Sequence, residues 1–174
     1  KTAQVVERWV QEYLQATEPP DQWAKLRRRP PAEAAGRKET CGADGQPGTY
    51  ADIDSCDAMF LYGHNMAETQ TVLWSRVLDR IAGPDRPKIV CIDPRDTEVA
   101  RHADVHLAVR PGTNLALMNA LVHEVLANGW LDAEYVNEHT VGLEELKATV
   151  EPWTAEAAAA VCDVSAADIR EAAR

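Results

Sequence analysis

Ala58-Met59-Phe60-Leu61-Tyr62-Gly63-His64-Asn65-Met66-Ala67-Glu68-Thr69 is the stretch on which the fold turns. Residues 58–62 form a short apolar run of strand length. Gly63-His64-Asn65 then makes a corner. Beyond it Thr71, Val72, Trp74, Val77, Leu78 and Ile81 recur at helical spacing, so a helix is predicted from Glu68 to Ala82. A strand, a tight loop and a helix start leave unpaired backbone N–H groups at a strand end, where an anionic ligand can sit.

Downstream the same arrangement recurs. Gly83-Pro84 reads as a helix stop, with a glycine just past the last turn. Lys88 to Ile92 is a second apolar strand. Asp93-Pro94-Arg95 follows as a loop, in which Pro94 turns Asp93 away from helical backbone. Glu98 to His102 is a short helix and Val105 to Val109 a third strand. Pro111-Gly112-Thr113-Asn114 is the third loop, with Thr113 or Asn114 placed to cap a helix over Leu115 to Ala127. Strand, helix, strand, helix, strand, helix defines an α/β class, a three-layer Rossmann-like parallel sheet of the dinucleotide-binding kind. The near-continuous apolar runs predict strands buried on both faces. Helices over 133–139, 143–150, 155–161 and 166–174 form a helical tail, with Thr154 and Ser165 as caps. The domain division is 1–49, an N-terminal helix and irregular connection; 50–130, the nucleotide-binding domain; and 131–174, the tail packed on that domain.

Upstream, Val5, Val6, Trp9, Val10, Tyr13 and Leu14 mark one helical face. Pro19-Pro20, the basic run Lys25 to Arg29 and Pro30-Pro31 end it, and the glycines at 42, 45 and 48 give an irregular connection. The chain starts at Lys1 and ends at Arg174 within a helical pattern, which reads as a fragment cut at both ends.

Composition narrows the function. At 174 residues with formal net charge −10, the chain is about one domain and is acidic. That disfavours nucleic acid and anionic membrane as partners, and any phosphate site must be built from local donors. No apolar run reaches transmembrane length. The four cysteines are widely spaced, with no Cys-x-x-Cys pair, so neither a zinc site nor an iron–sulfur cluster is encoded here. Nothing demands disulfides, and a reducing, cytoplasmic setting is the default. Cys91 reads as a small buried hydrophobe.

In parallel sheets ligands bind beyond the C-terminal strand ends. Gly63 admits close backbone approach, and Asn65 tolerates left-handed geometry and offers an amide. Glu68 can accept from a ribose or a guanine, or simply favour the helix dipole. Asp93 resembles the acid that grips a ribose in dinucleotide folds. Arg95 can hold a phosphate or stack on a base. Thr113 and Asn114 can meet an anion or a base edge, or only cap a helix. Each loop also has a plain reading as a turn. The nicotinamide fingerprint Gly-x-Gly-x-x-Gly is absent, which disfavours simple hydride transfer. His102 and His106 are separated by the start of the third strand and do not form a metal pair. His123 reads as a satisfied, partly buried side chain. Trp74 and Trp130 read as core or edge packing.

Taken in order, Tyr62-Gly63-His64-Asn65-Met66-Ala67-Glu68-Thr69, Asp93-Pro94-Arg95-Asp96-Thr97, Ala103-Asp104-Val105-His106-Leu107 and Pro111-Gly112-Thr113-Asn114-Leu115-Ala116-Leu117 resemble the molybdopterin oxidoreductases of the dimethyl-sulfoxide-reductase class. The resemblance runs over about residues 42–174, is poor over 1–35, and is nearest to nitrate reductases and formate dehydrogenases. It implies a bis-molybdopterin guanine dinucleotide cofactor carrying molybdenum. It also implies that Tyr62, Gly63, His64, Asn65, Met66, Ala67, Glu68, Thr69, Asp93, Pro94, Arg95, Asp96, Thr97, Gly112, Thr113 and Asn114 bind its guanosine and diphosphate. The family's four-cysteine cluster motif and its molybdenum ligand have no counterpart here, and Cys41 is not assigned to metal. An iron–sulfur cluster is therefore expected only in other parts of a full-length enzyme, whose remaining domains and electron-transfer partner would be the partners of this chain. Nitrate reduction is the first expectation, formate oxidation the second, and the isolated chain should not turn over substrate. The rival is a non-redox nucleotide-binding module, such as the central domain of thiamine-diphosphate enzymes.

Overall fold

Strand β1 (Ala58–Tyr62) pairs in parallel with β2 (Lys88–Ile92), which pairs in parallel with β3 (Val105–Leu107), in the order β1-β2-β3. These elements belong to a computed structural model that describes residues 48–174, and Tyr50–Arg174 forms one compact unit. The N-terminal helix, the basic run and Cys41 lie outside the described residues.

Helices α1 (Asp52–Ser55), α2 (Met66–Thr69), α3 (Thr71–Ala82) and α4 (Glu98–His102) interleave with the strands, and α5 (Asn114–Ala127) follows β3. The tail is α6 (Ala133–His139), α7 (Leu143–Val150), α8 (Ala155–Cys162) and α9 (Ala166–Ala173). Side chains alternate along a strand, so β2 feeds two cores. Ile89 and Cys91 join Met59, Leu61, Trp74, Val77 and Val99 under α3 and α4. Val90 and Ile92 join Val105, Leu107, Leu117, Leu121, Ala158 and Ile169 under α5, α8 and α9. This is the three-layer α/β fold. Fully burying a side chain such as Ile89 or Leu107 stabilises the fold by about 1.5–3 kcal/mol.

The structure differs from the sequence expectations in several places. Of the three described strands only β2 is buried on both faces; β1, an edge strand, alternates and leaves Phe60 and Tyr62 exposed. The helix expected over 68–82 is two helices, broken at Gln70 (φ −140°, ψ 58°). The helix does stop at Ala82, as Gly83-Pro84 predicted; Gly83 is extended there (φ −78°, ψ 172°), and its N–H donates to Arg80 O at 3.2 Å. Strand β3 stops at Leu107, since the Arg110 N–H turns to Cys162 O at 2.8 Å. Thr113 stands at the start of α5 but does not cap it with its side chain, because its hydroxyl donates to Arg110 O at 2.7 Å. Thr154 and Ser165 do cap α8 and α9, accepting from the Ala157 N–H (3.2 Å) and the Asp168 N–H (3.0 Å). His123 is not satisfied: its Nδ1 is buried without a hydrogen bond, and Glu124 Oε1 stands 3.9 Å away. Trp74 is in the core, whereas Trp130 is exposed.

Candidate functional site

Parallel pairing brings the C-terminal ends of β1, β2 and β3, and the loops that leave them, to one edge of the sheet. At the first loop the Gly63 N–H donates to Ile92 O at 2.8 Å, extending the ladder by one residue. Gly63 has φ +60°, and a Cβ there would meet nothing within 4 Å. The glycine therefore serves the backbone angle, and the space around it is open.

Asn65 follows in an inverse γ-turn (φ −80°, ψ 73°), closed by the Met66 N–H donating to His64 O at 3.0 Å. The left-handed geometry that an asparagine tolerates is thus not used here. Its carbonyl accepts from the Glu68 N–H (3.2 Å), the Thr69 N–H (3.1 Å) and the Thr69 hydroxyl (2.9 Å). Its side chain is a different matter. Asn65 is 6% exposed, and among the described residues neither Oδ1 nor Nδ2 has a hydrogen-bond partner. An orphaned buried polar group costs about 1–3 kcal/mol and calls for an explanation.

The second loop is saturated. Asp93 is 3% exposed, and its Oδ1 accepts from the Arg95 N–H (2.9 Å) and Nε–H (3.3 Å), while Oδ2 accepts from Nη2 (3.4 Å). This is an Asx turn closed by the residue two places on. Burial pushes the Asp93 carboxyl up, but the Arg95 amide, the Arg95 guanidinium and His106 together outweigh it and hold the group below the ordinary carboxylate value. The Arg95 guanidinium is raised, by its bond to Asp93 first and by the Glu68 charge among the lesser causes. Helices α2 and α4 pack together at the same place. Beneath them Cys91 is a buried thiol, pushed up to about 11 by burial and then by Asp93.

At the third loop Arg110-Pro111-Gly112-Thr113 form a turn with the Thr113 N–H donating to Arg110 O at 3.2 Å and Gly112 at φ +89°. Proline second and a positive-φ glycine third define a type II turn. Asn114 stands exposed at the first turn of α5. Tyr62 ends β1, and burial, with the nearby Cys162 second, raises its phenol.

The residues expected to bind therefore divide. Tyr62, Gly63, His64, Glu68, Pro94, Arg95, Asp96, Gly112 and Asn114 are exposed at the strand-end edge. Met66 lies in the core with Trp74, and Ala67 packs against that core. Thr69 bonds back to Asn65 O, Thr97 caps α4 through the Ala100 N–H at 3.2 Å, and Asp96 pairs with Arg101 at 3.3 Å. Two residues that support the loops were not picked out from the sequence. His106 Nε2–H donates to Asp93 O at 2.8 Å, and Cys162 holds both ends of the third loop. A histidine alternating between Val105 and Leu107 was the available signal for the first. Among the described residues no group of three or more His, Cys, Asp or Glu side chains is arranged to hold a metal ion. Among them, too, no helix is long and apolar enough to cross a membrane.

A buried parallel sheet with helices on both faces and three ligand-suited loops at one edge defines the class: a Rossmann-like α/β domain. The chain belongs to the molybdopterin oxidoreductase family, whose model matches residues 28–162. The match begins before residue 42 and stops at Cys162, so it is shifted upstream of the resemblance read from the motifs. The chain is 35% identical over 140 residues to formate dehydrogenase H of Escherichia coli (strain K12), covering 80% of this chain and 19% of that protein. It is 34% identical over 148 residues to a nitrate reductase of Symbiobacterium thermophilum, covering 80% and 20%. Among solved structures, acetylene hydratase from Pelobacter acetylenicus aligns with a TM-score of 0.60 at 29% identity, over 70% of this chain and 16% of that one. The chain thus spans about a fifth of the length of the curated relatives it matches.

Proposed function

We propose that this chain holds the guanosine diphosphate end of a molybdopterin guanine dinucleotide, within a larger oxidoreductase of the formate dehydrogenase or nitrate reductase type. The observation that carries the reading is the buried, unpartnered Asn65 amide at the end of β1, beside the buried Asp93 at the end of β2. An amide presents a donor and an acceptor together, which matches a base edge or a ribose hydroxyl. Asp93 accepts from ribose hydroxyls, Arg95 and the backbone around Gly112 to Asn114 take phosphate oxygens, and Glu68 accepts from the base. Gly63 leaves room for the ligand above the first corner. Met66, Ala67 and Thr97 contribute by shaping backbone, since their side chains are occupied in packing or capping.

The cofactor, when bound, supplies two-electron chemistry at molybdenum; the protein binds and orients it. An iron–sulfur cluster, the other domains and the electron-transfer partner belong to the rest of that enzyme. The names of the relatives favour this wider reading, and they also bound it: one is named a dehydrogenase, one a reductase and one a hydratase. What they share is this domain, so substrate choice is set elsewhere. Cys56, Cys91 and Cys162 stand as free thiols, which suits a reducing, cytoplasmic setting.

Calorimetry with GDP and ADP on the whole chain tests the proposal. GDP should bind at least tenfold more tightly than ADP, a difference of about 1.4 kcal/mol. Equal affinities would favour a general nucleotide module, and no binding of either would sink the reading.

A further inference from the structure

We infer that the helical tail, through Cys162, is the positioning element of the third ligand loop. The inference rests on the nucleotide reading only for its consequence in binding; the contact itself is independent of it. Strand β3 ends at Leu107, so the sheet ladder does not hold Arg110 to Thr113. Both ends of that turn are instead tied to one residue 49 positions beyond Thr113. The Arg110 N–H donates to the Cys162 carbonyl at 2.8 Å, and the Cys162 Sγ–H donates to the Thr113 carbonyl at 3.5 Å. Cys162 is completely buried, in the core shared by α5, α8 and α9. Asp163 then leaves α8 in a left-handed conformation (φ 62°), uncommon for a residue with a side chain, and its carboxylate stands 3.8 Å from Arg110.

The geometry has a physical consequence. A type II turn with a glycine at its third position is free to swing about its two ends. Fixing both ends to a buried residue sets the direction of the Gly112, Thr113 and Asn114 N–H groups relative to the sheet. Cys162 touches no ligand in this account. It acts through Thr113 and is a positioning residue. The thiol is the part of the Cys162 contact that a side-chain change can remove; alanine removes it with a small loss of volume, and serine matches alanine in size while keeping a donor.

Amide hydrogen exchange on the whole chain, without ligand, provides the test. In the unchanged chain the Arg110 amide should exchange at the slow rate of the α8 amides; exchange at the rate of an open loop overturns the inference. In Cys162→Ala the amides of residues 112–114 should exchange about threefold faster, with those of β1 and β2 unchanged, and Cys162→Ser, equal in size to alanine but with a donor, should return them toward the original rate. Uniform acceleration across the sheet, or equal behaviour of the two variants, would mean that Cys162 only packs. GDP affinity is the second readout and should fall about threefold in Cys162→Ala with the serine variant intermediate. If the unchanged chain binds no GDP, the nucleotide reading fails while the exchange result still decides the positioning role.

Discussion

The first and second strand-end corners bury a polar side chain to nearly the same depth, Asn65 at 6% exposure and Asp93 at 3%. Their treatment is opposite. Asp93 receives three donors from Arg95, two residues away, and its own carbonyl is held by His106. The Asn65 amide receives nothing from the described residues. The difference teaches that burial at a strand end has two meanings. A group saturated by its own loop holds that loop in shape. A group left unpaired costs stability in the free chain, and that cost is offset only when something outside the chain supplies the missing bonds. On the proposed reading Asp93 serves both purposes, because Arg95 is itself exposed and would exchange the carboxylate for a phosphate.

The largest effect should come from removing the unpaired amide. Asn65→Leu keeps the branched shape of the side chain and should reduce GDP affinity at least tenfold, while the unfolding midpoint in urea rises, consistent with relief of about 1 kcal/mol. A lower midpoint would show that the amide is paired in solution, and the contrast between the corners would fall.

Asp93→Ala should act in the opposite direction on stability. It removes the acceptor that closes the Asx turn, and a loss of about 1 kcal/mol is expected after allowing for the exposure of the Arg95 side chain. The pH dependence follows from the sign of the shift. A carboxyl held below its ordinary value contributes stability above the unfolded pKa, near 4, and loses it as pH falls through the lower folded value. Urea melts should therefore separate the parent from Asp93→Ala at pH 7, with the gap closing in strong acid. A gap that stays constant with pH would mean that the carboxylate's charge plays no part. Asp104, held down in the same sense although burial opposes it, should add a parallel acid sensitivity to both proteins.

The smallest effect sharpens the comparison most. Arg95→Ala should weaken GDP about threefold, roughly 0.7 kcal/mol, because a phosphate partner is lost. The uncharged ligand guanosine should bind no worse, and slightly better, because Asp93 no longer has to be released. Parallel losses for both ligands would mean that Arg95 recognises the nucleoside instead.

Much of the fold was legible because its signals are local. The apolar runs at 58–62 and 88–92 are bounded by turn residues, and Thr154 and Ser165 are caps written into the chain. Two of the misreadings were decided by partners distant in sequence. The Arg110 N–H could not be assigned to a tail carbonyl, and the exposed face of β1 could not be known before the order of strands. At the site, Gly112 and the Asp93-Pro94-Arg95 turn announced themselves, since proline and glycine restrict the backbone in known ways. The support from His106 gave only a weak signal, a polar residue alternating into a strand.

The sequence by itself determined the elements, their parallel α/β order and the three loops at strand ends, because hydrophobic period and turn chemistry are properties of neighbouring residues. Only the tertiary structure decided which of the buried polar groups is already satisfied. Hydrogen bonding inside a protein is settled by what the fold brings within about 3 Å, not by what lies nearby in the chain. For Asp93 the two coincide; for Asn65 they do not.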